Sequence, residues 1–112
     1  LDTISWFCGN NLNWNSSADY GAKEVGTKQD NDYGLWDMHG NVDEWVHDKY
    51  GSYSSSSVVD PVNTSGSNGI LRSGAWGGPP YSIRSADRFS YGQGTRDQWS
   101  YGIGFRIGRS NF

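Results

Sequence analysis

The chain has one cysteine, one methionine and three prolines in 112 residues. Cys8 alone cannot close an internal disulfide, and it lacks the paired spacing of a zinc site. Lys and Arg total 9 against 12 Asp and Glu, a formal net charge of −3. No basic run occurs, so nucleic acid is not an expected partner. No apolar run approaches the roughly 20 residues that span a bilayer, so no membrane span is expected. No signal-peptide pattern opens the sequence. The compartment stays open, leaning to an extracellular or surface-displayed setting. Helical periodicity is scarce, and no internal repeat is visible.

What remains is glycine and aromatic rings. Hydrophobic residues make up 34% of the chain, aromatics alone 15%, and there are 16 glycines. A core must therefore rest on Trp, Tyr and Phe, against the backbone entropy of the glycines. The length suits a single domain, residues 1–112. It is expected to need help from a bound ion, a missing N-terminal partner segment or an oligomer.

Local patterns predict few regular elements, in a loop-dominated α+β fold. Thr3 to Gly9 reads as a short strand or buried extended piece. Val25 is the expected inward residue of the loop that follows. Residues 48–69 form a surface loop carrying a serine-rich patch. Ile70 to Trp76 alternates as a half-buried strand. Pro79 and Pro80 then force a turn. "SIRSADRFSY" suits a short helix or strand. Tyr101 to Gly108 alternates glycine with apolar residues, as a strand does where another backbone or ring passes close.

Four stretches, in order, carry a family resemblance: "VGTKQDNDYGLWDMHGNVDEWVHD", "GILRSGAW", "IRSADR" and "IGFRI". Together they resemble the formylglycine-generating-enzyme-like (sulfatase-modifying) domains, a variant of the C-type lectin fold. The match covers the C-terminal part of such domains, which usually run to twice this length. The resemblance thus implies either a fragment or a compact version.

In the resembling enzymes the stretch corresponding to "GLWDMHGNVDEW" holds calcium. That implies a structural ion here on the Asp37 and Glu44 carboxylates and the Gly40 and Val42 carbonyls. Calcium does mix carboxylates with loop carbonyls, and a tight Gly40–Asn41 turn can bring the two acids together. A second reading stays open: Asp37 caps a turn, Glu44 pairs with Arg72 or Arg106, and Trp36 and Trp45 are core. Asp43 departs from the family's tryptophan and removes a packing ring. His39 and His47 lack a third ligand for a transition metal and do not suggest a hydrolase triad.

The family's oxidation chemistry uses two cysteines after the Gly-Gly-Ser-Trp-like strand. They would fall near Gly78 and near Pro80 or Tyr81, where this chain has no thiol, and Cys8 lies far away in sequence. The iron-dependent sulfoxide synthases of the family take three histidines from a preceding domain, which this chain could complement only as a fragment. A non-catalytic binding module is the favoured reading, with a protein or glycan as ligand. Its face would comprise Trp76, Tyr81, Ser82, Phe89, Tyr91, Gln93, Asp97, Trp99 and Tyr101, a mix of rigid aromatics and small polar residues. This composition also resembles the retroelement-diversified variable proteins of the same fold. The competing expectation makes these rings core, above all Trp76 and, in "IGFRI", Phe105.

Overall fold

The computed structural model describes residues 1–11, 19–92 and 102–108. Four strands form one sheet: β1 Asp43–Lys49, β2 Gly69–Arg72, β3 Phe89–Tyr91 and β4 Ile103–Phe105. Their spatial order is β3-β2-β1-β4. β1 and β2 pair antiparallel, as do β2 and β3, while β4 lies parallel to β1. No helix occurs among the described residues, so the α part of the α+β expectation finds no element there. No helix there is long and apolar enough to cross a membrane.

β2 begins one residue before the expected strand and stops at Arg72. Ser73 and Gly74 follow with φ of 80° and 73°, outside the strand region. β4 occupies the middle of the expected Tyr101–Gly108 strand, and β3 takes the end of "SIRSADRFSY". The first residues are turns rather than a strand. Ser5 N donates to Leu1 O at 3.1 Å and Asn11 N to Phe7 O at 3.0 Å. Only Trp6 makes a bridge, to Gly40, although Ser5 and Phe7 are buried as a packed extended piece would be.

Of the expected 48–69 loop, Asp48 and Lys49 end β1 and Gly69 opens β2, and the residues between them connect the two strands. This connection is pinned by Lys49 N to Asn63 O at 2.7 Å and Tyr50 N to Asn68 O at 2.9 Å.

The buried apolar core among the described residues is small: Phe7, Ile70, Leu71 and Ile83. Each such side chain contributes about 1.5–3 kcal/mol. Aromatic packing adds to it. Trp45 meets Tyr91 edge-to-face at 5.5 Å, and a Cβ at Gly69 would sit 2.6 Å from the Trp45 ring. Two core expectations are corrected. Phe105 is 75% exposed, because it ends the outer strand β4, whose far side nothing described covers. Val25 is 77% exposed, on a turn fixed instead by Gly26 N donating to Asp37 Oδ2 at 2.8 Å.

The Gly40–Asn41 turn joins the sheet to the rest of the chain. Gly40 N donates to Ser73 O at 2.7 Å, Asn41 N to Trp6 O at 2.9 Å, and Trp76 N to Asn41 O at 2.7 Å. The Asn41 side chain accepts from Lys23 N at 2.8 Å and donates to Lys23 O at 3.1 Å. Gly40 has φ 78°, and a Cβ there would lie 2.2 Å from Trp6 O. Gly34 has a similar φ of 71° with no atom within 4 Å of its would-be Cβ. We therefore expect Gly34→Ala to cost about 1–2 kcal/mol, the left-handed penalty alone, and Gly40→Ala about 3 kcal/mol or more. Urea unfolding checks this, and equal losses would remove the close approach as the reason for Gly40.

Candidate functional site

Two regions carry the residues singled out by sequence. The first is a cleft of about 500 Å³ whose lining includes Asp37, Gly40, Val42 and Glu44, so the fold does bring the expected calcium donors together. Arg106 stands in the same cleft. Its Nε donates to Glu44 Oε2 at 3.0 Å and its Nη2 to Glu44 Oε1 at 2.8 Å. The guanidinium also donates to Trp36 O at 3.0 Å and to Asp37 O at 3.1 Å. The Glu44 hydrogen bonds push the Arg106 pKa up against the opposing effect of desolvation, with the Glu44 and Asp37 charges adding to the rise.

This planar fork satisfies both oxygens of Glu44. The Gly40 carbonyl accepts from Ser73 Oγ at 3.4 Å. Of the four expected calcium donors, Glu44 is held by the Arg106 fork and Asp37 Oδ2 accepts from Gly26 N at 2.8 Å, so an ion seated here would share Glu44 with Arg106. What the cleft leaves open is Asp37 Oδ1, buried without a hydrogen-bond partner, on a residue with φ 54°. Trp36, offered above as core, is largely exposed at the cleft. His39 uses Nδ1 to donate to Ile83 O at 2.8 Å, a structural bond, and His47 is exposed.

The second region is the loop after β2. Trp76 is half-buried, with Tyr20 edge-on at 4.6 Å. Ala75 to Ser82 closes on itself. Gly78 N donates to Ala75 O at 2.8 Å, Ser82 N to Pro79 O at 3.0 Å, and Ser82 Oγ to the same carbonyl at 2.8 Å. A Cβ at Gly78 would lie 2.7 Å from Ser82 Oγ and 3.1 Å from Ala75 O, so any side chain there requires Ser82 to move.

Cys8, distant in sequence, is brought to this loop: its N donates to Gly78 O at 3.1 Å, and the residue is exposed. The fold thereby corrects its apparent remoteness. No sequence signal marks this contact, which spans most of the chain.

Of the expected binding face, Tyr81 is 69% and Phe89 56% exposed. Tyr91 is half-buried between Trp45 and Phe89. Ser82 spends its hydroxyl on the loop. Gln93, Asp97, Trp99 and Tyr101 lie outside the described residues.

Asp43, standing where the resemblance expects a tryptophan, opens β1 half-buried. Burial pushes its carboxyl from about 3.8 up to about 6, against a hydrogen bond from the Gly74 backbone and with help from the nearby Asp87 charge.

The sulfatase-modifying factor enzyme 1-like domain matches the chain over residues 4–111. Treponema denticola variable protein 1 is similar in structure at a TM-score of 0.74, with 28% identity over 93% of this chain and 35% of its own. PvdO from Pseudomonas aeruginosa is similar at 0.69, with 25% identity over 94% of this chain and 38% of its own. CarF shares the fold at 0.59, with 23% identity over 94% and 32%. The chain thus spans about a third of the length of these structures. No curated protein matches it in sequence.

Two outcomes are expected. Chelation with EDTA should leave the melting temperature unchanged, whereas Arg106→Ala should lower it by about 4–8 °C, the equivalent of 1 kcal/mol in a small domain. A fall on chelation that calcium restores would instead seat an ion beside Asp37. For Asp43, the folded chain binds more protons than the unfolded chain between about pH 4 and 6, so its contribution to stability falls as pH rises through that window. Asp43→Asn should raise stability at pH 7 by on the order of 1–2 kcal/mol and flatten the pH dependence. A variant with an unchanged pH profile would remove Asp43 as the cause.

Proposed function

The chain belongs to the sulfatase-modifying factor enzyme 1-like domain family, and on that premise we propose that it is a non-catalytic ligand-binding module. The ligand is a protein or a glycan, met through the aromatic-rich segments of residues 76–101. The observation that carries this reading is the exposure of Tyr81 and Phe89, two large rings that the buried core does not use. Phe89 rests on Tyr91, which Trp45 meets edge-to-face, and Trp76 is met in the same way by Tyr20. Rigid aromatics beside small polar residues suit recognition at low entropic cost.

The loop where the family's thiols would fall supports the same reading. Gly78, Pro80 and Tyr81 offer neither nucleophile nor soft ligand, and the turn is closed by its own hydrogen bonds. The likeness to a variable protein is consistent with a retroelement-diversified binder. The structural calcium expected at this cleft would share Glu44 with the Arg106 guanidinium, which also donates to the Asp37 carbonyl.

One observation favours a second reading, that of an oxidoreductase piece: Cys8 abuts Gly78, and the chain spans about a third of PvdO and of the variable protein. In that case further ligands would come from other chain. Titration with copper(I) separates the two. A binder shows no stoichiometric uptake, whereas an oxidoreductase piece shows uptake that Cys8→Ser abolishes.

For the binding face, Tyr81→Ala and Phe89→Ala should melt within about 3 °C of the parent while reducing binding on a glycan array, or to a captured protein partner, by about tenfold or more. Loss of the folded state would assign both rings to the core.

A further inference from the structure

A further cavity lies away from both regions above, with a lining that mixes apolar and basic side chains. It measures about 750 Å³, between the β1–β2 strands and the returning segment of residues 51–63. That volume is within the range of small-molecule sites, about 300–1,000 Å³. Its opening has a visible cause. The β1–β2 register slips between Val46 and Lys49, where three residues of β1 advance against one of β2. Such an irregularity bends a strand away from its partner.

Val46 and Ile70 are register partners and form an apolar floor. Val58 and Val62 line the opposite wall yet remain more than half exposed, so this apolar surface is wet. Arg72, Arg88 and Lys49 stand around it against one acid, Asp48. A net positive concavity is thus built into a chain whose formal charge is −3. Asp48 is already engaged, Oδ1 accepting from Asn63 N at 3.3 Å.

Arg88 is set in place. Its guanidinium lies 3.7 Å from the Tyr53 ring centre and 5.0 Å from that of Tyr50, and Nη1 donates to Gly51 O at 2.9 Å. Arg72 donates one Nη2 bond to Ser85 O. A guanidinium carries five N–H donors in a planar fork suited to a carboxylate, and these contacts use few of them.

We propose that this cavity binds a small anionic amphiphile, a carboxylate on an apolar body. The carboxylate meets Arg88 and Arg72, and the apolar body lies along Val46 and Ile70 beneath Val62. The site is independent of the proposed recognition face. On β1 and β2 the side chains of Val46 and Ile70 point to the opposite side of the sheet from Trp45 and Leu71, by the two-residue alternation of strands. The aromatic residues Phe89 and Tyr91 belong with the latter set.

The test uses the intact chain with octanoate as probe and octylamine and octanol as controls, read by amide chemical shifts. Octanoate should bind saturably, shift Val46, Ile70 and Val62, and weaken as NaCl rises. Octylamine should bind at least about tenfold more weakly, a difference of 1.4 kcal/mol. Arg72→Gln and Arg88→Gln should each weaken octanoate about fivefold or more, with Arg88→Lys intermediate. Because Arg88 also anchors the segment at Gly51, the comparison of acid with amine on the unaltered chain decides the matter if Arg88→Gln loosens that segment. Equal affinity for acid and amine would overturn the proposal. So would the absence of saturation, or shifts centred on Tyr81 and Phe89 instead.

Discussion

Asn41 is the residue on which the arrangement turns. It is 2% exposed, in the left-handed region at φ 66°, and its hydrogen bonds reach three separate parts of the chain. Its N–H, carbonyl and side chain secure Trp6, Trp76 and Lys23, and its neighbour Gly40 secures Ser73. Asparagine tolerates this conformation better than other residues with a side chain. With few fully buried apolar side chains, the fold relies on a polar node for uniqueness. A buried amide of this kind is favourable only while all its partners are met.

Around that node the sheet and its loops are tied together at both margins. One side of the sheet carries the rings of Trp45, Tyr91 and Phe89, with Phe89 still open to solvent. The Arg106 fork ties β4's end to Glu44 and to the Trp36 and Asp37 carbonyls, so the strand farthest along the chain locks the motif that precedes β1. Positive charge is supplied there by the chain itself. Beside Gly78 the described residues bring one cysteine, Cys8, while Tyr81 and Phe89 stand exposed.

Much of this was legible in the residues. The ordered motifs led to the family, the alternation around Ile70 and Ile103 located two strands, and serine-rich composition marked the long loop. The Glu44–Arg106 pair was one of two open alternatives, since charge sign and motif order allow it without deciding it. Three features were hidden for physical reasons. β1 is paired on both edges and half-buried almost throughout, so it shows no period of two. Phe105 looks like core by type, but its outer-strand position exposes it. The approach of Cys8 to Gly78 is tertiary and leaves no local trace. The face residues from Gln93 to Tyr101 fall outside the described residues, so that part of the reading rests on sequence and family.

The sheet order has a further implication for how the chain is held together. Tyr91 ends the strand on one margin of the sheet and Ile103 begins the strand on the other, with β2 and β1 between them. The two margins are about 14 Å apart, three strand spacings. The chain thus passes from one margin to the other between Tyr91 and Ile103, and β3 and β4 are each held by a different inner strand, β2 and β1, rather than by one another.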